Sequence, residues 1–260
     1  MNIVVLTKPV PDPAASAERL TADLRLDRAA SPTVVNGNDE YALEAALKLT
    51  EAHGGEVTLL AMAPANAPET MRKALAMGAH RGVLVTDPAL EGACAVSTMR
   101  VLAAALRTLE YDLVLAGVDT SDGGAGVVAA GVAALLGIPY LSYAARIEPR
   151  DGKVAVHRLS PSGYDVLEAP MPALISGTQL LGEPRYPSLK GIMGARSKEI
   201  AIRSLVDLGL SASDAGGAVA TTRVLEARVP AARGAVQVIA GPAPETAQAI
   251  VDFMADRRII

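Results

Sequence analysis

One stretch, Tyr111 to Tyr140 (YDLVLAGVDTSDGGAGVVAAGVAALLGIPY), constrains the fold more than any other part of the chain. It opens with Leu113-Val114-Leu115-Ala116, a short apolar run of the length and residue type of a parallel strand buried on both faces. Gly117 ends the run, and Val118 to Gly124 read as a polar, glycine-containing loop. From Ala125 to Leu136 the residues are small and apolar, which predicts a helix stopped by Gly137 and Pro139. A strand that passes through such a loop into a helix N-terminus makes an anion site. Its amides are free to point at a phosphate, and the helix dipole favours negative charge there. The first expectation is a nucleotide-phosphate site at Ser121 to Val132.

Other readings compete for the same residues. Gly124, Gly126 and Ala129 fit a degenerate G-x-G-x-x-A dinucleotide fingerprint, but that fingerprint belongs in the first strand-helix turn with an acid about 20 positions on. Here the run follows the fourth strand of the α/β series, and no acid follows until Glu148. A membrane span is disfavoured, since the stretch is Gly/Ala-rich and broken at Gly137-Ile138-Pro139. A helix whose small residues serve only close packing stays open beside phosphate binding.

Taken in order, the chain alternates strand and helix. Ile3 to Leu6 is a strand, followed by a loop through Pro9, Pro11 and Pro13. Asn36-Gly37-Asn38-Asp39 offers caps to a helix with Leu43, Ala46, Leu47 and Thr50 on one face. Val57 to Ala61 is the next strand. Asn66 can cap a helix with Pro68 in its first turn and Met71, Ala74 and Leu75 inward. Gly82 to Val85 is a strand, and Ala93 to Leu109 a helix with Val96, Met99, Leu102 and Leu106 on one side. Strands separated by helices imply a parallel sheet covered on both faces. Ligands then sit beyond the strand C-termini near a switch in strand order, where the loops after the first, second and fourth strands converge.

After Tyr140 the pattern changes to a β-hairpin insertion, Leu141–Ile147 and Val154–Leu159, turning at Asp151-Gly152. Tyr164–Leu167 and Pro172–Ser176 are further strands, the last returning to the main sheet. Gly182 to Ile200 holds two prolines and three glycines with isolated Leu189, Ile192 and Met193. It reads as a surface loop displaying aliphatic side chains to a partner. Ser204 to Arg233 reads as extended. Pro244 to Arg258 reads as a terminal helix with Ala247, Ile250, Val251 and Met254 on one face. So long an arm after a finished sheet implies a second subunit to lie on.

Composition narrows the function. The 260 residues carry a formal charge of −4, no basic excess for nucleic acid, and their N-terminus has no signal-peptide pattern. The expectation is a cytoplasmic protein that is not membrane-embedded. The single cysteine, Cys94, excludes an internal disulfide and reads as a small buried hydrophobe within a helix. His53, His80 and His157 lie in different elements, without the i,i+4 spacing of a metal pair. There is no G-x-S-x-G elbow and no G-K-[ST] phosphate loop. Asp119 and Asp122, inside a Gly-rich loop, read as helix caps or ribose ligands rather than as a catalytic carboxylate pair. No stand-alone catalysis is expected.

The opening NIVVLTKPVPD, then VVNGNDEYALEAAL, PETMRKALAMGAHRGVLV, DLVLAGVDTSDGGAG and GEPRYPSLKGIM, occur in this order over positions 2 to 200. Together they closely resemble the β-subunit of electron transfer flavoprotein. The resemblance implies a Rossmann-like α/β sheet, an αβ heterodimer, and one FAD held mainly by the α-subunit. That flavin shuttles electrons from dehydrogenases to a membrane quinone oxidoreductase. This subunit would bind a structural AMP, or a second FAD in electron-bifurcating members.

Residue by residue, the resemblance places the nucleotide against Leu6, Asn36, Gly37, Asn38, Asp39 and Met62. It continues through Ser121, Asp122, Gly123, Gly124, Ala125, Gly126, Val127, Val128, Ala129, Ala130, Gly131 and Val132. Gly123-Gly124-Ala125-Gly126 stand where family members carry a polar Asn-Gln-Thr-Gly run, so phosphate contacts pass to backbone amides. The resemblance makes Glu183, Pro184, Arg185, Tyr186, Leu189, Ile192 and Met193 a partner-recognition loop with Leu189 as its anchor. The basic run that usually follows is thinned to Arg196 and Lys198. The expected organisation is a nucleotide-binding domain at 1–181, the recognition loop at 182–200, and an arm and helix at 201–260 contacting the α-subunit. A non-redox adenine-nucleotide module of the same sheet type is the alternative, and it leaves the chain after Ile200 without a purpose.

Overall fold

A computed structural model describes residues 1–14, 20–28, 32–228, 236 and 238–260. Residues 1–225 form one compact unit and 226–260 a second. In the first unit the elements run β1 (Ile3–Leu6), β2 (Pro9–Pro11), β3 (Thr33–Val35), α1 (Gly37–His53), β4 (Val57–Met62), α2 (Pro68–Met77) and β5 (Arg81–Val85). They continue α3 (Ala95–Leu106), β6 (Leu113–Gly117), α4 (Val128–Leu136), β7 (Tyr140–Arg150), β8 (Lys153–Ser160), β9 (Gly163–Pro170), β10 (Ala173–Gly177), α5 (Leu189–Ala195) and β11 (Ile200–Arg203). The second unit holds α6 (Ala243–Asp256), with Ile250 and Val251 about half exposed.

The sheet has nine strands in the order β11-β5-β4-β1-β6-β10-β7-β8-β9. Pairing is parallel from β11 to β7 and antiparallel from β7 to β9. Apolar residues alternate between its two faces as strand geometry requires. Ile3, Val5, Leu59, Leu113 and Leu115 pack with Leu43, Leu47, Met71 and Leu75 of α1 and α2. Val4, Leu60, Val114 and Leu174 pack with Val101, Leu102, Leu106 and Val132 of α3 and α4. This is the Rossmann-like α/β architecture expected from the strand-helix alternation. The chain moves outward one way from β1 through β4 and β5, and the other way from β6 through β10. The switch point therefore lies between β1 and β6.

The hairpin turns at Asp151-Gly152 with φ of 50° and 78°, the double positive of a two-residue I′ turn. After it β9 forms the sheet edge beside β8, and the next strand returns to the main sheet as β10, between β6 and β7. Several expectations are corrected. Pro9 to Pro11 is a strand, because Val10 and Val35 are buried when it pairs antiparallel with β3. Asn66 caps nothing: α2 starts behind Ala67 without a side-chain cap. On α3 Leu102 and Leu106 are buried as expected and Met99 packs partly buried beside them, but Ser97 and Val101 share the inward face and Val96 turns out to 36% exposure. Cys94 is the N-cap of that helix rather than a buried helical residue. The thiol is desolvated, which pushes its pKa up, but N–H groups of Ser97 and Thr221 outweigh this and lower it to about 6.

Gly182 to Ile200 is not a plain loop. Ser188 Oγ accepts the Gly191 N–H at 3.0 Å and starts α5. The helix lies so close to α2 that a β-carbon on Gly191 would sit 2.4 Å from the Ala76 carbonyl oxygen. Arg72 reaches the Ala195 carbonyl, and Lys198 Nζ reaches those of Leu75 and Ala79. Its helicity comes from these tertiary contacts, which a periodicity search does not see. Beyond β11, Val206–Leu208, Ala212–Asp214 and Gly216–Val219 are 3₁₀ turns rather than extended chain, with Leu205 and Ala215 buried in the core. The part of the expected extended run at 229–233 lies outside the described residues.

The approach that joins α1 to β6 is at Gly117. A β-carbon there would meet the Asn38 carbonyl carbon and Asp39 Oδ1, each at 2.7 Å. Gly117→Ala is expected to lower stability by about 1–3 kcal/mol, the usual cost of overpacking. Gly194→Ala on α5, where a β-carbon meets nothing within 4 Å, should be neutral or mildly stabilising. Equal thermal midpoints for the two variants would show that α1 moves aside freely.

Candidate functional site

The switch point opens into a cleft of about 540 Å³ lined by Asn36, Gly37, Asn38, Tyr41, Asp119, Thr120, Ser121, Gly124 and Gln179. Two segments build it: the N-terminus of α1 and the loop between β6 and α4. Asn36 is the N-cap of α1 but makes no side-chain cap bond. Its amide crosses to the other segment, donating to the Asp119 carbonyl at 2.9 Å and accepting the Ser121 N–H at 3.1 Å. Asn38 donates to the same carbonyl at 3.1 Å.

The loop is closed by its own acid. Asp119 Oδ1 accepts from the N–H groups of Thr120 at 2.7 Å and Gly126 at 3.0 Å. Gly124 and Gly126 take φ of 54° and 61°, a left-handed backbone that only glycine adopts cheaply. That geometry cannot begin a helix, so α4 starts at Val128 and not at Ala125. Ahead of α4, the N–H groups of Asp122, Gly123 and Ala125 donate to no acceptor among the described residues. Together with the first turn of α4 they are donors for an anion.

Neither Asp119 nor Asp122 caps α4, which starts without a side-chain cap bond. Asp119 staples the loop, and the Asp122 side chain is 1% exposed between Lys8 Nζ, at 2.8 Å, and Arg28. Burial pushes the Asp122 carboxyl up, but the two cations outweigh it and hold it below the ordinary carboxylate range. Asp39 is buried behind the cleft and accepts the Lys8 N–H at 2.8 Å. Burial raises its pKa to about 7, against the pull of the Asn36 amide and the N–H groups of Lys8 and Gly117.

The residues picked from sequence divide accordingly. Asn36, Gly37, Asn38, Ser121 and Gly124 line the cleft. Gly123, Ala125, Gly126 and Val127 are exposed on its loop. Ala129 and Val132 are buried against α3, where a β-carbon on Gly131 would strike the Met99 sulfur at 2.1 Å. Close packing thus explains that half of the stretch, with Val128 and Ala130 half-buried beside it. Leu6 and Met62 pack with the α3-side core beneath the strand ends. Sequence reasoning missed Lys8, Arg28, Tyr41, Thr120 and Gln179. Only Tyr41, one turn after Gly37, carried a readable signal.

A second feature lies on the segment before α5. Arg185 donates from Nε to Glu44 Oε2 at 2.7 Å and also pairs with Glu51, fixing the segment to α1. Burial raises the Glu44 carboxyl, but Arg185 outweighs it and the net shift is downward. Glu183 is exposed and Pro184 half-buried. Tyr186 at 94%, Leu189 at 75% and Met193 at 66% exposure stand clear of the surface with Ile192.

A family model described as the electron transfer flavoprotein domain matches residues 23–208. The electron transfer flavoprotein subunit beta of Thermoanaerobacterium thermosaccharolyticum is 34% identical over 268 residues, covering all of both chains. That of Mycobacterium leprae is 37% identical over 265 residues, all of this chain and 99% of the other. The caffeyl-CoA reductase-Etf complex subunit CarD of Acetobacterium woodii is 35% identical over 270 residues, again covering all of both.

The raised Asp39 pKa has a defined consequence. The folded state holds this proton more tightly than the unfolded chain. The associated stability is therefore complete below pH ~4 and is lost as pH rises towards 7. Across that window the wild type should lose on the order of 4 kcal/mol relative to Asp39→Asn, at 1.36 kcal/mol per pKa unit. Urea unfolding at several pH values measures the difference, and parallel profiles would mean that Asp39 is ionised in the native protein.

Proposed function

The chain belongs to the electron transfer flavoprotein family as a beta subunit, and from that premise we propose how its parts divide the work. An electron transfer subunit of this kind acts with an alpha subunit. We propose that this one is a cytoplasmic carrier component. It would take electrons from flavin-dependent dehydrogenases and pass them to a membrane quinone oxidoreductase. FAD, held mainly by the alpha subunit, supplies the electron-accepting and electron-donating chemistry. No helix among the described residues is long and apolar enough to cross a membrane.

The cleft at the switch point carries the reading. It is open and polar, and unpaired backbone donors stand beside its left-handed glycines, which suits a phosphate approached closely by backbone. A structural AMP fits it. Asn36 and Asn38 hold the loop in place, Asp119 closes it, and the Gly123 and Ala125 amides with the α4 N-terminus take the phosphate. Tyr41 and Gln179 supply the remaining walls. The segment 182–200 is the dehydrogenase-docking element, and 201–260 an arm and helix for the alpha subunit.

Ligands released by denaturing the heterodimer test the cofactor assignment. One FAD and one AMP per dimer is the expected result. Two FAD and no AMP would assign the cleft to a second flavin and an electron-bifurcating role.

The docking assignment is tested at Leu189. Burying an exposed leucine in a partner stabilises a complex by roughly 1.5–3 kcal/mol, or about one to two decades in affinity. Leu189→Ala should raise the KM for this protein in a dehydrogenase-linked assay by about that factor, with flavin and AMP content unchanged. Loss of either ligand would instead make Leu189 a packing residue.

A further inference from the structure

The segment ahead of α5 contains a stretch that its own backbone does not hold. From Glu183 to Pro187 no backbone N–H or C=O bonds another backbone group among the described residues. Two of the five residues are prolines, which have no N–H to give and disfavour helical backbone at the residues before them, Glu183 and Tyr186. Helix α5 is seated on α2 by its own contacts, but the stretch that leads into it is fixed from elsewhere. Arg185 does the fixing. Its backbone N–H donates to Glu44 Oε2 at 3.1 Å, and its Nε donates to the same oxygen at 2.7 Å. Nη2 donates to Glu44 Oε1 and to Glu51 Oε2, each at 3.1 Å, and Nη1 reaches Glu51 Oε1. One guanidinium thus spans two carboxylates about two turns apart on α1, using a planar fork that lysine lacks. Lys48, between them on the helix, lies 3.4 Å from Glu44. A β-carbon on Gly182 would come within 2.9 Å of its ammonium. These four side chains carry two charges of each sign, so Arg185 brings no surplus charge to a partner. What it brings is position: the next residue, Tyr186, stands 94% exposed, and Leu189, four positions after Arg185, 75%.

We propose that Arg185 is a positioning residue for donor docking, gripping Glu44 and Glu51 so that Tyr186 is held out with Leu189 as a preformed contact. This rests on the docking reading of 182–200, and adds the residue that sets its geometry and a second contact, Tyr186. A donor that met the stretch unfastened would have to order it on binding, and affinity would fall by that cost. Glu44 is 4% exposed and cannot touch a donor, so any part it has in docking passes through Arg185.

The test is a steady-state assay with a flavin-dependent dehydrogenase that reduces the wild-type heterodimer, the heterodimer being the varied substrate. Arg185→Gln should raise KM by roughly five- to thirtyfold, the scale of ordering one freed residue, with turnover at saturation and FAD content kept. Glu44→Gln should shift KM in the same direction. Arg185→Lys keeps the charge without the fork and should lose nearly as much as Arg185→Gln. A lysine variant with the wild-type KM would make the role one of charge and overturn the proposal. In a Tyr186→Ala background, itself raised in KM, Arg185→Gln should add about twofold at most, because the two act through one contact. A merely structural pair would give equal effects in both backgrounds, or a fall in turnover with loss of flavin, and either result would overturn the proposal. If Tyr186→Ala and Leu189→Ala both leave KM unchanged, the docking reading itself fails. If they raise KM and Arg185→Gln does not, only the positioning role fails.

Discussion

The cleft depends on one seam, where the N-terminus of α1 meets the C-terminal end of β6. Gly117 allows the approach, since any β-carbon there would enter the Asn38 backbone. Across the seam Asn36 and Asn38 hold the Asp119 carbonyl, and Asn36 takes the Ser121 amide. These bonds occupy the Asp119 carbonyl and the Ser121 N–H on the α1 side of the loop. The N–H groups of Asp122, Gly123 and Ala125 are left without an acceptor among the described residues. Buried polar groups must be paired, so the pairing within the seam decides which amides are left for function. An N-cap residue that does not cap its own helix makes sense in that light.

Most of the sheet was legible because its central strands are continuous apolar runs between helices with clear 3.6-residue faces. Leu113-Val114-Leu115-Ala116 and Val57 to Ala61 could hardly be anything else. The hairpin was legible from Asp151-Gly152 alone. What escaped was whatever depends on distant partners. Lys8 looks like a strand-end lysine until the loop 112 residues later folds beneath it. Helix α5 has two glycines and no periodic face, and exists because α2 receives it. Cys94, read as an inert hydrophobe, gains its character from amides, one of them 127 residues away. The stretch that constrains the fold most was also ambiguous for a physical reason. Its first half is small because the loop takes left-handed backbone at Gly124 and Gly126, its second half is small to admit Met99, and the two demands select the same residues.

Helix α1 links the cleft to the segment that we propose as the docking element. Its first turn frames the cleft, and two turns later Glu44 receives Arg185 from the docking segment. The Glu44 side chain is 4% exposed, so the pair is one whose breakage strands a buried charge, a loss of about 3–5 kcal/mol in comparable sites. The docking segment is thus fastened at Arg185, capped at Ser188, sealed onto α2 at Gly191, and drawn back into the sheet as β11. Its large apolar side chains Tyr186, Leu189, Ile192 and Met193 are left uncovered. A carrier must recognise its donor and then leave. Holding a few apolar side chains on a rigid mount meets both needs: little ordering entropy opposes binding, and the area buried is too small to make dissociation slow.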